Sequence, residues 1–253
     1  MRLLITLPVL ITLMAGSALA DWNVGDPYKM HYPQLPKMDG WDVRNGYYTW
    51  VADDWRCSKT GPVEDIHLWV SWQNNLPEWQ KILQVHTRIY SDIPAGEGGI
   101  PYSRPGTELW HYDWNFSTAM TRLWGTGDQG WFDPSKDPDV IIPHDHTNVW
   151  QINLVHPPTP YIQQKDTMYW LEVSFVPIGS VESLPNIGWK ESGSPHFMDD
   201  AVWRSQLDPS WHPIESPVEP YYSMDMAFVI TPEPASLVLL ALGGLALLRR
   251  RGN

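Results

Sequence analysis

The stretch Ile66-His67-Leu68-Trp69-Val70-Ser71-Trp72 decides the fold, because its residues alternate with a period of two. The even-numbered residues are all apolar and fall on one face of an extended strand, while the odd-numbered residues face the opposite way. Five further segments repeat this alternation, at 83–89, 110–116, 150–154, 169–175 and 224–230. The pattern predicts a set of strands that each bury one apolar face.

The segments between these strands are rich in Pro and Gly, and no window between residues 21 and 231 has a helical period. Twenty-four prolines interrupt the chain too often for long helices. Strands with one apolar face, separated by turns, are typical of a single antiparallel β-sandwich, and jelly-roll and immunoglobulin-like topologies both fit. We expect this domain to span residues 21–231 and to begin with an extended arm at 21–48.

The first 20 residues have the order of a secretory signal peptide. Arg2 supplies a short positive region, residues 3–14 are apolar, and Ala18-Leu19-Ala20 is a small-residue cleavage site. The apolar run is shorter than the about 20 residues that a permanent membrane span needs. We therefore predict a signal helix that directs export and is removed after Ala20.

The end of the chain carries a second signal. Pro232-Glu233-Pro234 is followed by an apolar segment at 235–248 and by Arg249-Arg250-Arg251. This order resembles the PEP-CTERM sorting signal, in which a hydrophobic transmembrane helix anchors the chain in the inner membrane and the basic end stays in the cytoplasm. The resemblance implies that an exosortase-type protease cuts near the triplet and that the product reaches the cell surface or the extracellular matrix. A plain C-terminal anchor that is kept is the alternative.

The middle of the chain contains two conspicuous blocks, Ala52-Asp53-Asp54-Trp55-Arg56-Cys57 and Gly61-Pro62-Val63-Glu64-Asp65-Ile66-His67-Leu68-Trp69. Four more blocks follow in order, at 91–94, 188–190, 199–203 and 225–228. Together they resemble an uncharacterised domain of planctomycete PEP-CTERM proteins. The resemblance covers most of the exported part and implies one domain, but it implies no chemistry.

The charge composition of the chain argues against some classes of binding partner. The chain carries 29 Asp and Glu residues against 17 Lys and Arg residues, for a net charge of −12. The two terminal signals hold four of the basic residues but only one of the acidic ones, so the exported part is more acidic still. A nucleic-acid ligand is disfavoured, since Lys and Arg carry phosphate binding. Cys57 is the lone cysteine and cannot form an internal disulfide.

Two histidines form the most metal-like cluster. His144 and His146 flank Asp145, and in an extended chain their imidazoles point to the same side, as a zinc or other transition-metal site requires. His156 and His196 are candidates for the missing third ligand. The alternative is a polar turn that precedes a strand.

Three carboxylates form a second metal candidate. Asp133, Asp137 and Asp139 lie in a Pro-rich loop and offer the hard oxygen ligands of a structural Ca²⁺ site. Their spacing does not match the EF-hand loop. A solvated acidic loop is therefore the alternative.

The tryptophan content suggests a binding function. All 16 tryptophans lie in the exported part of the chain. An exposed row of aromatic rings, with polar groups nearby, is a binding surface for sugars and predicts a carbohydrate-binding or exopolysaccharide-binding module. The candidate rings are Trp110, Trp114, Trp124 and Trp131. The alternative is that these rings pack the core.

The sequence carries none of the short motifs of common hydrolases. Gly-x-Ser-x-Gly, the Walker loop and His-Glu-x-x-His are missing, and no predicted strand holds two carboxylates two residues apart, as a glycosidase pair would favour. We therefore expect an exported cell-surface or extracellular-matrix protein without catalytic activity. A carbohydrate-binding module is the first alternative. A metal-dependent hydrolase built on His144 and His146 is the second.

Overall fold

The structure of the protein is a computed structural model that describes residues 21–46, 48–179 and 184–232. The prediction of a mostly β chain is confirmed, since these residues form 14 strands and four short 3₁₀ turns. The strands, numbered β1 to β14 in chain order, are Trp41–Arg44, Thr49–Arg56, Gly61–Pro62, Asp65–Trp72, Ile82–Ile93, Arg104–Asn115, Met120–Asp133, Val140–Val155, Ile162–Gln163, Met168–Pro177, Ile187–Lys190, Val202–Ser205, His212–Pro213 and Phe228–Thr231. The turns are Gln73–Asn75, Trp79–Lys81, Glu97–Gly99 and Phe116–Thr118.

Both predicted helices lie outside the described residues, the signal helix at 1–20 and the hydrophobic helix at 235–248. Within the described ranges, no helix has the length and hydropathy that a membrane span requires.

The strands form two six-stranded sheets and one two-stranded ribbon. The first sheet has the order β11-β1-β7-β8-β4-β14, and the second has the order β13-β12-β2-β10-β5-β6. In the first sheet, β11 pairs with β1 on one side and with β4 on the other. Five strands (β1, β7, β8, β4 and β11) are therefore hydrogen-bonded in a closed ring, and β14 pairs with the remaining half of β4.

One strand pair departs from the antiparallel arrangement that the sequence predicted. β1 and β7 run parallel, with Trp41 opposite Gly130 and Val43 opposite Phe132. Strand periodicity does not record direction, and a parallel pair needs a long crossover instead of a tight turn. Here the crossover contains β2, β5 and β6, three strands of the second sheet.

The two sheets share one hydrophobic core. Ile66 and Leu68 of β4 lie in it together with Val85 and Ile89 of β5. The sequence predicted one buried face for each strand, but all eight residues of β4 are buried. The second face of β4 points into the ring, where Ser71 donates a hydrogen bond to a glutamine of β7.

The interior of the ring holds a row of charged side chains. Asp42 of β1 accepts hydrogen bonds from His146 of β8 at 2.8 Å and from Lys190 of β11 at 3.0 Å. The other ring nitrogen of His146 lies 2.8 Å from the carboxylate of Asp145. The side chains of Asp42, His146 and Lys190 are fully buried. Acidic and basic groups alternate along the row, so each buried charge faces an opposite one.

These contacts set the protonation states. Burial alone would raise the pKa of Asp42, but Lys190 and His146 outweigh burial and hold that pKa below its ordinary value. Burial alone would lower the pKa of His146, but Asp42 and Asp145 raise it above its ordinary value. His146 therefore keeps its proton to a higher pH than a free histidine, and both of its N–H groups have an acceptor.

The N-terminal arm is shorter than predicted because β1 occupies its end, so the arm comprises residues 21–40. Lys29 N donates to Ile230 O of β14 at 2.8 Å, and Gly193 N donates to Leu35 O at 2.8 Å. These main-chain bonds tie the arm to the first sheet and to the chain that follows β11.

Replacing Asp42 by Asn is expected to lower the free energy of unfolding by about 3–5 kcal/mol, because two buried cationic groups lose their shared carboxylate. Urea denaturation of the full-length protein measures this loss. Asp128→Asn is the matched control, since Asp128 pairs with His144 on the exposed surface, where an ion pair contributes about 0–1 kcal/mol. Equal losses in the two variants would show that the buried row does not hold the ring together.

Gly127→Ala tests how the arm packs on β7. A Cβ at Gly127 would overlap the carbonyl oxygen of Met38, so the arm backbone must move away. We expect the free energy of unfolding to fall by about 1–3 kcal/mol, as for other overpacked sites. Gly46→Ala is the control, because a Cβ there meets no atom within 4 Å. An unchanged urea midpoint in Gly127→Ala would contradict this contact.

Candidate functional site

The four tryptophans predicted to bind sugar do not form one exposed face. Trp114 and Trp131 are buried, with 5% and 2% of their surface exposed. Trp110 and Trp124 are half-buried, and both pack against the core. The ring of Trp124 stands edge-on to the buried ring of Trp69 at 5.1 Å between centroids. Trp114 and Trp131 therefore offer no free ring face to a sugar.

The other tryptophans of the chain are also buried or partly buried. All 16 lie in the described ranges, where nine are buried, seven are partly buried and none is exposed. Many contact each other edge to face, as Trp22 does with Trp69 and Trp72 does with Trp79. Such aromatic pairs stabilise a core beyond the area that they bury. The tryptophans thus pack mainly against the core and against one another.

The structure separates the two histidines that the sequence placed on one side of a strand. His144 has a φ of +57°, in the left-handed region, which breaks the alternation of an extended chain. Its imidazole is exposed and pairs with Asp128, whereas His146 points into the ring toward Asp42. The predicted two-histidine metal face is therefore wrong. Among the described residues, no three His, Cys, Asp or Glu side chains are placed to hold a metal ion.

The three candidate calcium ligands differ in burial and in their contacts. Asp133 is buried, with one oxygen 3.2 Å from Arg44 and the other accepting from the Ser135 hydroxyl at 2.6 Å. Asp137 and Asp139 are exposed. Partial burial, with added repulsion from the other two carboxylates, raises the pKa of Asp139. Asp133 thus closes its own turn.

An open polar pocket of about 260 Å³ lies where the arm meets two other parts of the chain. The arm, the residues after β11 and the residues before β14 line it. Lys37 N donates to Glu191 O at 2.9 Å, and Ser192 N donates to Asp225 O at 2.7 Å. Main-chain hydrogen bonds therefore fix the walls of this pocket.

One group of side chains in the pocket forms a closed triangle. Lys37 Nζ donates to Glu191 Oε1 at 2.8 Å and to the Tyr222 hydroxyl at 2.7 Å, and that hydroxyl donates to the same Glu191 oxygen at 3.0 Å. The other oxygen of Glu191 accepts from Trp41 N at 2.7 Å. Burial alone would lower the pKa of Lys37, but its bonds to Glu191 and Tyr222 raise it. Lys37 thus keeps a positive charge at the pocket.

A second group in the pocket places a hydroxyl, an imidazole and a carboxylate in a row. Ser223 Oγ lies 2.7 Å from His196 Nε2, and His196 Nδ1 lies 2.8 Å from Asp225 Oδ1. Ser223 and Asp225 are two residues apart in the chain, the spacing that directs side chains of an extended segment to one side. The second oxygen of Asp225 accepts from Phe197 N at 2.7 Å, which fixes His196 beside the carboxylate.

The carboxylate of Asp225 is buried, and only one of its two oxygens accepts a well-aligned hydrogen bond within the described ranges. Asp225 Oδ1 receives no aligned hydrogen bond from the described residues, because it lies off the axis of the nearby imidazole N–H. The contact with Asp225 still raises the pKa of His196, against the opposing effect of burial. A row of this kind can pass a proton from the hydroxyl to the imidazole.

Of this row, only His196 is a candidate from the sequence, as a third metal ligand. Ser223 and Asp225 are not candidates. The Ser-x-Asp spacing at the start of the predicted strand 224–230 is the available signal, and it is too common to indicate a site. His156, the other candidate third ligand, lies elsewhere, near Asp65.

Comparison with known proteins gives two matches along the chain. Residues 231–251 match the PEP-CTERM protein-sorting motif. Residues 30–231 match the model of a domain of unknown function, DUF7901. Neither the curated proteins nor the solved structures contain a match. The chain therefore belongs to the DUF7901 family and ends in a PEP-CTERM sorting motif, which marks it as an exosortase-sorted protein of the cell surface or extracellular space.

Proposed function

We propose that this protein is a structural component of the cell surface or the extracellular matrix, delivered as a folded domain and separated from its tail near Pro232-Glu233-Pro234. The single observation that carries the proposal is the position of the sorting motif, which begins at the last residue of β14. Export and display require no catalytic step from the domain itself.

The packing of β14 supports this arrangement. All four residues of the strand are buried, and it pairs with β4 along its length. The hydroxyl of Thr231 lies 3.3 Å from the ring of the buried His67. A cut after Thr231 would therefore leave every strand of the domain in place, and the released product would keep its fold.

The tryptophans support a scaffold role over a sugar-binding one. A sugar platform needs exposed ring faces, and no tryptophan of the domain is exposed. The carbohydrate-binding alternative, with an extracellular polysaccharide as partner, is therefore less well supported than a scaffold role, because none of its four candidate rings is exposed. The metal-dependent hydrolase loses its histidine pair in the same way, since His144 and His146 point apart.

The sorting step is tested by Glu233→Ala in a host that has an exosortase system. We expect the wild-type protein in the surface or extracellular fraction with the mass of a product that ends near residue 231. We expect the variant to remain unprocessed in the membrane fraction. Mass spectrometry and cell fractionation measure both outcomes.

Glu219→Ala is the matched control, because Glu219-Pro220 repeats the Glu-Pro dipeptide at an exposed position inside the domain. This control should be sorted like the wild type. Normal processing of Glu233→Ala would contradict a role for the triplet, and a wild-type protein that never leaves the cell would contradict surface display.

A further inference from the structure

The row in the polar pocket has the contacts of an activated nucleophile. Ser223 Oγ lies 2.7 Å from one nitrogen of His196, and the buried Asp225 carboxylate lies 2.8 Å from the other. Serine hydrolases are recognised by this constellation of roles and contacts, and the order of the residues in the chain varies between folds. We propose that Ser223, His196 and Asp225 form the catalytic triad of a serine ester hydrolase that acts on short-chain acyl esters of polar alcohols.

The fold holds each member in its place. Hydrogen bonds from Ser216 N to Tyr222 O and from Met224 N to Ile214 O fix the main chain on both sides of Ser223. Asp225 is anchored through its second oxygen by Phe197 N. The other oxygen of Asp225 lies 2.8 Å from His196 Nδ1, within reach of the imidazole N–H. Catalytic hydrogen bonds are often long or poorly aligned before substrate binds.

The pocket indicates the class of substrate. The pocket is open to solvent and has a volume of about 260 Å³, which leaves room for a short acyl group. Hydroxyls of Ser192, Ser194 and Tyr222 lie on its walls and suit a polar alcohol. Lys37 also lies on the wall, where it pairs with Glu191, so the charges of these two side chains offset each other.

The reaction uses one ester and one water. Ser223 Oγ attacks the ester carbonyl and its proton moves to His196 Nε2. The C–O bond to the alcohol breaks, and the alcohol leaves with that proton, so the acyl group stays on Ser223. Water then attacks the acyl carbonyl and gives a proton to His196. The Ser223 ester bond breaks, Ser223 regains the proton, and the carboxylic acid is released.

A fluorophosphonate probe tests this assignment on the full-length protein purified in detergent. The probe forms a phosphorus–oxygen bond to an activated serine, loses fluoride and leaves the serine proton on the base. We expect labelling of the wild-type protein at Ser223, located by peptide mass spectrometry, and no labelling of Ser223→Ala. Ser58→Ala is the control, because Ser58 is an exposed serine outside the pocket, and this variant should be labelled like the wild type.

His196→Gln gives a second test that keeps the nucleophile. We expect its rate of p-nitrophenyl acetate hydrolysis to fall by about 100-fold or more, as expected when a general base is lost. Thermal denaturation confirms that each variant is folded. A folded wild-type protein that is not labelled would overturn the proposal. Equal labelling of Ser223→Ala, or an unchanged rate in His196→Gln, would overturn it as well.

The pH profile separates catalysis from a structural role. Hydrolysis needs a neutral imidazole, so the rate should rise with pH through a midpoint above the ordinary value of about 6.5 for a histidine. Asp225 raises the pKa of His196, and Asp200 adds a smaller effect of the same sign. Lys37 and Glu191, which line the same pocket, pair with each other.

Asp225→Asn should therefore shift the midpoint to lower pH and reduce the rate at the plateau. Asp128→Asn, remote from the pocket and paired with His144, is the control and should keep the wild-type profile. An identical midpoint in Asp225→Asn and the wild type would show that Asp225 does not act on His196 during the reaction.

Discussion

The carboxylate of Asp42 is the group on which the closed ring depends. It binds His146 and Lys190, whose strands lie on different sides of β1 in the ring, and β8 is not its hydrogen-bonded neighbour. A buried charge without a partner costs several kcal/mol, which favours the register of β1, β8 and β11 that brings these three groups together. Since β1 has four residues, its ladder bonds alone are few.

The register of the ring also places the polar pocket. Lys190 is the last residue of β11 and points into the ring, whereas the next residue, Glu191, faces the pocket and binds Lys37. Neighbouring residues of an extended chain point to opposite sides, so one short segment serves both. His196 follows five residues after Glu191 and lines the same pocket. The position of β11 in the ring therefore also helps to place His196.

The strands that alternate apolar and polar residues could be predicted from the sequence. Strand β2 could not be predicted in this way, because it buries a charged residue whose partners are far away in the chain. β2 contains the buried Asp53, whose carboxylate accepts from Gln34 and from Met226 N, so its burial rests on residues far away in the chain. The positive φ of His144 overrode the alternation that motivated a metal site. Ser223, His196 and Asp225 could not be recognised as a site from the sequence. His196 and Ser223 are 27 residues apart, and only the fold brings them together.

The bond between the arm and β14 has a consequence for the order of events during secretion. Met30 and Ile230 are 200 residues apart in the chain and are in contact in the structure. A chain that crosses a membrane from its N-terminus therefore carries an arm without its partner strand through almost the whole passage. Contacts so distant in sequence form late in folding. The domain is then completed only shortly before the residues that match the sorting motif emerge, so the sorting machinery would meet a newly finished fold.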